Sequence, residues 1–245
     1  MCLLTLFFKS IGDAPVLIGA NREEAYARQG EPPRLVDGLI RFVAGIDPVA
    51  GGTWLGINAR GVIVAITNRP KLATPSASRS RGLLVRELLA CSTAAEAADH
   101  ATKNLSRNLY AGCNLLCVDK LNAVVLHAGD WLRVRPLPPG LHVLTAHDVN
   151  DENDRRTEYA LRWLASQALT KVHEWVNALK DLCGQTGNGG PPICLHGDQG
   201  GTVSGTILSL GQSKEDCVYL HAQGAPDHVP YTDYSHLLRV LLREP

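Results

Sequence analysis

The sequence predicts an α+β fold of two antiparallel sheets with paired helices outside them, four layers in all. Three observations lead there. Short apolar runs separated by turn residues dominate the first 70 residues. Amphipathic helical periodicity replaces them in two blocks, one from about 82 and one over 153–182. Strand-like runs return after each block, so the order is strands, helices, strands, helices, strands. No linker, repeat or low-complexity tract interrupts the 245 residues, which are expected to form a single domain, 1–245.

Taken in order, residues 2–8 and 15–20 are apolar and flank the turn-rich Ser10-Ile11-Gly12-Asp13, which predicts a hairpin. Residues 21–38, polar and containing Pro32-Pro33, are expected to be a loop. A second hairpin is predicted from 54–58 and 62–67 around Ala59-Arg60-Gly61. Leu83, Leu84, Val85, Leu88 and Leu89 share one helical face. Thr93 with Glu96 three residues on has the spacing of a capping box and opens a second helix. Strands are expected at 114–118, 123–126 and 141–145, helices at 153–168 and 171–182, and a Gly- and Pro-rich loop at 184–192. Late strands at 203–210 and 217–221 precede a short helix at 234–242.

Composition narrows the function classes. The 24 basic and 24 acidic residues balance, which leaves no net electrostatic footprint for nucleic acid or an anionic membrane. The first apolar run, Cys2–Phe8, is too short to span a bilayer and has no basic leader, so a cytoplasmic chain without a membrane span is expected. The seven cysteines are odd in number and irregularly spaced, which argues against a disulfide framework. Cys113-x3-Cys117 is not a redox Cys-x-x-Cys pair, and Cys183, Cys194 and His196 follow no zinc spacing, so no metal is expected. The glycine clusters at 187–190 and 200–201 lack the Lys-Ser/Thr of a phosphate loop, so no nucleotide is expected either. No pair of the nine histidines at helical spacing supports haem ligation.

One residue carries a specific chemistry. Cys2 follows the initiator methionine, and methionine is trimmed before small side chains. A terminal cysteine places its own α-amine, with a reference pKa of about 7.7–8.0, beside its thiol, so that one residue supplies nucleophile and base.

Around it lie Asn21-Arg22-Glu23-Glu24 at the end of the first hairpin, Gly51-Gly52-Thr53-Trp54-Leu55-Gly56, and Thr67-Asn68-Arg69-Pro70. On these motifs the chain resembles the NRDE family, also called transport and Golgi organisation 2. The match is dense from Met1 to Pro70 and traceable at 196–202 and 231–235. The resemblance implies an N-terminal-nucleophile hydrolase-like αββα sandwich. It also implies a distant likeness to choloylglycine hydrolases and penicillin V acylases, which cleave non-peptide amides through an N-terminal cysteine. Carried over, Cys2 is the nucleophile, Glu23 orients its α-amine, Arg22 holds that carboxylate or the substrate, and Asn68 donates to the oxyanion. Asn21, Trp54 and His147 are the candidate substrate-binding residues. The implied partner is a small amide substrate with no cofactor; the family's association with haem trafficking implies a non-catalytic haem or small-ligand carrier as the alternative. Three positions depart from the family pattern: Glu23 stands for aspartate, Ala146 for asparagine with His147 as its candidate substitute, and Val203 for arginine.

Overall fold

The computed structural model describes residues 2–76, 78–107, 109–187 and 189–242. Met1, on whose removal the expected nucleophile depends, lies outside the described residues. The chain forms two compact units. One holds the chain up to Gln29 and again from Pro139 to Leu238; the other holds Gly30–Pro138 and the chain from Arg239.

The first unit opens with the expected hairpin, β1 (Leu3–Ile11) and β2 (Ala14–Ala25). The second unit then runs β3 (Arg34–Val36), β4 (Phe42–Ala44), β5 (Leu55–Asn58), β6 (Ile63–Asn68), α1 (Arg81–Leu88), α2 (Ala94–Leu105), β7 (Cys113–Val118), β8 (Ala123–Ala128) and β9 (Leu132–Pro136). The return to the first unit brings β10 (Gly140–Leu144), α3 (Arg155–Ala165), α4 (Val172–Cys183), β11 (Gly200–Leu210), β12 (Val218–Ala222) and β13 (Thr232–Asp233); α5 (Ser235–Leu241) follows.

In the first unit the sheet order is β10-β1-β2-β11-β12-β13, every pairing antiparallel. The N-terminal hairpin is therefore central, and strands from the second half of the sequence close on both its sides. Alternate residues Leu3, Phe7, Ile11 and Leu17 pack against Ala160 and Leu164 of α3 and Val176, Leu179 and Leu182 of α4. Leu4, Leu6 and Phe8, on the opposite face of β1, are buried as well. A strand buried on both faces reads as an unbroken apolar run, which is what 2–8 shows.

The second unit is a seven-stranded antiparallel meander in sequence order, β3 to β9, with α1 and α2 inserted between β6 and β7. Leu84, Val85 and Leu88 of α1 and Ala94, Ala97, Ala98 and Ala101 of α2 share a core with Val62, Val64, Leu115 and Cys117. Gly52 of the Gly-Gly-Thr-Trp motif lets α1 approach: a Cβ there would stand 2.4 Å from the Gly82 carbonyl carbon, while Thr53 N–H donates to Gly82 O.

Helix ends follow local chemistry. Ser80 caps α1. Thr93 caps α2 through Glu96 N–H, and the Glu96 carboxylate reaches back one residue further than expected, to Ser92 N–H. Asp154 accepts from Arg156 and Thr157 N–H, which starts α3 two residues later than the periodicity suggested.

Four corrections concern strands. Residues 21–25 are the end of β2, not loop, and 34–36 and 42–44 are short strands. Leu132–Pro136 forms an additional strand, β9, of which little is buried. Residues 21–25, 34–36 and 132–136 were hidden because charged or exposed residues break the apolar signature, and Phe42–Ala44, buried throughout, because three residues are too few to show a period.

Asn58 is the polar anchor of the second unit. Fully buried in the β5–β6 turn, it donates to Leu89 O at 2.8 Å and Cys91 O at 2.7 Å. Its Oδ1 accepts from Arg60 and Val62 N–H. Asn58→Ala strands four backbone groups and is expected to cost about 3 kcal/mol or more, seen as a lower denaturant midpoint in urea melts.

Candidate active site

β2 sets the geometry. Its alternation turns Asn21 and Glu23 to the face that packs on α3 and α4, and Arg22 to the other. Asn21 is buried, and its amide nitrogen donates to Cys183 O at 2.8 Å and Ile193 O at 3.2 Å. It thereby ties the end of α4 and the following loop to the sheet. Arg22 donates to Arg28 O at 3.2 Å and lies 3.7 Å from the Glu24 carboxylate.

Glu23 is buried, with 8% of its surface exposed. Its Oε1 accepts from Thr202 Oγ1 at 3.2 Å and lies 3.6 Å from Arg156 Nη2. Thr202 is the direct cross-strand partner of Glu23 on β11, and the register then shifts so that Ser204 partners Arg22. The extra residue is Val203. Without that bulge Thr202 and Ser204 would share a face; with it Thr202 faces the carboxylate. Arg156, on the first turn of α3, also donates to Ile193 O at 2.9 Å, so its guanidinium is fixed by a backbone carbonyl as well as by the carboxylate.

Cys2 precedes β1. Glu23 N–H points at its Sγ, 3.4 Å away. Burial, helped by the Glu23 charge, pushes the thiol up to about 11. Burial also pushes the Glu23 carboxyl up to about 7, against the pull of Arg156 and the Thr202 hydroxyl. The two acids oppose each other's ionisation, so a cation placed between them would favour both charged forms. Cys2 is only partly buried, while Cys91, Cys113, Cys117, Cys183, Cys194 and Cys217 are all buried free thiols.

Of the expected site residues, Cys2 and Glu23 are in contact, with Asn21 and Arg22 beside them on β2. His147 is half-exposed, 3.8 Å from the Asp154 carboxylate that caps α3. Trp54 and Asn68 belong to the second unit. The Trp54 ring lies against Gly30 and Gly45, where an added Cβ would come within 2.4 and 2.7 Å of it. Asn68 ends β6, exposed, with Cys113 as its cross-strand partner. Arg156 was missed: it stands in the run Asp154-Arg155-Arg156, which reads as a solvated helix start. Thr202 was legible only as part of the late glycine motif.

The model of the family "Transport and Golgi organisation 2" matches residues 1–190. The human transport and Golgi organization protein 2 homolog is 32% identical over 142 residues, 53% of this chain and 50% of that one. The mouse homolog is 31% identical over the same length. The chain thus spans about half the length of these curated relatives. Among solved structures, the Caenorhabditis elegans N-acylethanolamine-hydrolyzing acid amidase ortholog superposes with a TM-score of 0.58 at 17% identity, covering 87% of this chain and 96% of that one. Penicillin V acylase from Agrobacterium tumefaciens gives 0.56 at 10% identity over 97% and 88%. A variant of the conjugated bile acid hydrolase of Clostridium perfringens gives 0.56 at 12% over 96% and 93%. At such identities the likeness is one of fold: two antiparallel sheets with few helices, as in N-terminal-nucleophile acylases. Among the described residues no helix is long and apolar enough to cross a membrane.

The raised carboxyl has a consequence for stability. Glu23 keeps its proton in the folded state up to about pH 7, whereas unfolded it loses it near 4.5. Between those values folding takes up a proton, so the contribution of Glu23 weakens stability as pH rises through the window, by on the order of 3 kcal/mol. Urea midpoints from pH 4 to 8 are expected to show this fall, and Glu23→Gln to flatten it.

Proposed function

Because the chain belongs to the Transport and Golgi organisation 2 family, with a fold shared by N-terminal-nucleophile acylases, we propose that it is a cysteine amidohydrolase acting on a small non-peptide amide. Residues 1–245 are taken as one domain of that family. The observation that carries the proposal is the placement of the Cys2 thiol against the backbone of Glu23, whose buried carboxylate is held by Thr202 and Arg156.

With Met1 removed, the α-amine of Cys2 takes up the thiol proton. The resulting ammonium then balances the thiolate and the Glu23 carboxylate, which otherwise repel each other. The thiolate attacks the amide carbonyl, and a tetrahedral adduct forms. The ammonium protonates the departing amine as the C–N bond breaks, which leaves a thioester on Cys2. Water, deprotonated by the same amine, hydrolyses that thioester and restores the thiol. Glu23 acts as a positioning residue that orients the amine, and Arg156 keeps Glu23 in place. Arg22 braces the turn after β2 through Arg28 O. The acyl group and the amine are left to substrate screening.

A second reading, a non-catalytic carrier of haem or another small ligand, draws on two substitutions. Ala146 and Val203 replace the asparagine and arginine of the family pattern, and both side chains are buried and apolar.

Intact mass and mapped substoichiometric iodoacetamide labelling separate the two. The hydrolase reading expects loss of Met1, labelling of Cys2 ahead of the six buried cysteines, and hydrolysis of at least one member of an N-acyl amide panel. Cys2→Ala is expected to abolish that hydrolysis and Glu23→Gln to lower kcat on the order of 100-fold. Retained Met1, or a Cys2 no more reactive than the rest, overturns it. A Soret shift on haem titration with no hydrolysis would then identify the carrier.

A further inference from the structure

Away from Cys2 and Glu23, the first unit holds a second cluster of chemically competent side chains. Cys194 and His196 lie two residues apart on the segment that leads into β11, and Asp227 and His228 on the turn after β12. The Cys194 Sγ is 3.1 Å from Asp227 Oδ1. His196 Nε2 is 2.7 Å from Asp227 Oδ2 and 3.9 Å from Cys194 Sγ. His228 Nε2 approaches the same Oδ2 at 3.3 Å, and the two imidazole rings are 5.4 Å apart. One donor atom from each of Cys194, His196 and Asp227 falls within 4.8 Å of the others.

We propose that Cys194, His196 and Asp227 form a three-residue site for a divalent transition cation of zinc type, with the fourth position open to solvent beside His228. A thiolate, an imidazole and a carboxylate suit borderline zinc, and tetrahedral coordination at about 2.0–2.3 Å places donors roughly 3.3–3.8 Å apart. The distances here bracket that range, so small side-chain shifts close the site. Coordination displaces the Cys194 thiol proton to solvent. Both peptide segments are held independently of a metal. Cys194 N–H donates to Gln185 O, and the 225–229 turn is closed by His228 and Val229 N–H on Ala225 O. His228 and one face of His196 are exposed, with 75% and 42% of their side-chain surfaces open, which gives an ion a route in. Cys194 and Asp227 are covered.

The site shares its backbone with the candidate active site. Ile193 O receives Arg156 and Asn21. Leu195 N–H donates to Thr202 Oγ1, which in turn donates to Glu23. A cation on Cys194 and His196 therefore clamps the segment that positions Arg156 and Thr202. The proposal concerns a structural ion and stands whether or not the chain hydrolyses amides.

The test uses the untagged 245-residue chain, stripped with a chelator and titrated with Co2+ as a spectroscopic stand-in, followed by Zn2+ competition. One tight Co2+ per chain is expected, with thiolate-to-cobalt charge-transfer absorption that Zn2+ abolishes. Cys2→Ser is expected to keep that absorption, Cys194→Ser to lose it, and His196→Ala to weaken binding at least about tenfold. Uptake without the charge-transfer band, a band that survives Cys194→Ser or disappears in Cys2→Ser, or no uptake overturns the proposal. Circular dichroism checks folding. Should Cys194→Ser fail it, His196→Ala and Asp227→Asn decide, and affinities equal to that of the unaltered chain overturn the proposal.

Discussion

A buried carboxylate on a central strand organises the first unit. Glu23 cannot sit out of water without partners: the Thr202 hydroxyl donates to its Oε1, and the Arg156 guanidinium stands 3.6 Å away as the opposite charge. Those partners come from β11 and α3, elements encoded far downstream. β11 must therefore pair with β2, and α3 must lie across the sheet with its first turn over the end of β2. Asn21 adds a third tie, from the same strand face to the carbonyls at the end of α4 and the loop beyond it. The pairing of β11 with β2 is also what brings Thr202 to Glu23. The bulge at Val203 belongs to it, since it turns Thr202 inward while the strand continues in register with β2.

The second unit solves a different problem. Its meander needs no long-range strand pairing except where α1 and α2 intervene between β6 and β7. That interruption is secured at two points. Gly52 and Gly82 allow backbone contact at the start of α1, and Asn58 takes up the carbonyls of Leu89 and Cys91 at its end. Sequence-local hairpins thus carry a helical insertion whose first helix is hydrogen-bonded at both ends to the β5 region.

What could be read from the sequence follows from how far each signal reaches. The hairpin β1–β2, the hairpin β5–β6, both helix pairs and the Thr93 cap are local patterns, and each lies within a few residues of its expected place. β2 beyond Ala20 was misjudged because Asn21-Arg22-Glu23-Glu24 looks solvated until its partners are known; a paired charge has no signature of its own. β9 was invisible because most of Leu132–Pro136 is exposed. For the site, Cys2 and Glu23 were reachable through the family motif and are in contact, while Arg156 carries no local mark. Asp227 and His228 were not connected with Cys194 and His196, because spacing along the chain says nothing about two loops that meet only in the fold.

The six covered thiols have a practical meaning. Cys91, Cys113 and Cys117 lie in one unit and Cys183, Cys194 and Cys217 in the other, all with surfaces shielded from solvent. A thiol in such a place exchanges with a disulfide reagent only when its surroundings open. Each unit accordingly contains its own three-point clock for transient opening. Exchange rates resolved peptide by peptide would reveal whether the two units breathe together or on separate schedules, with no cysteine introduced.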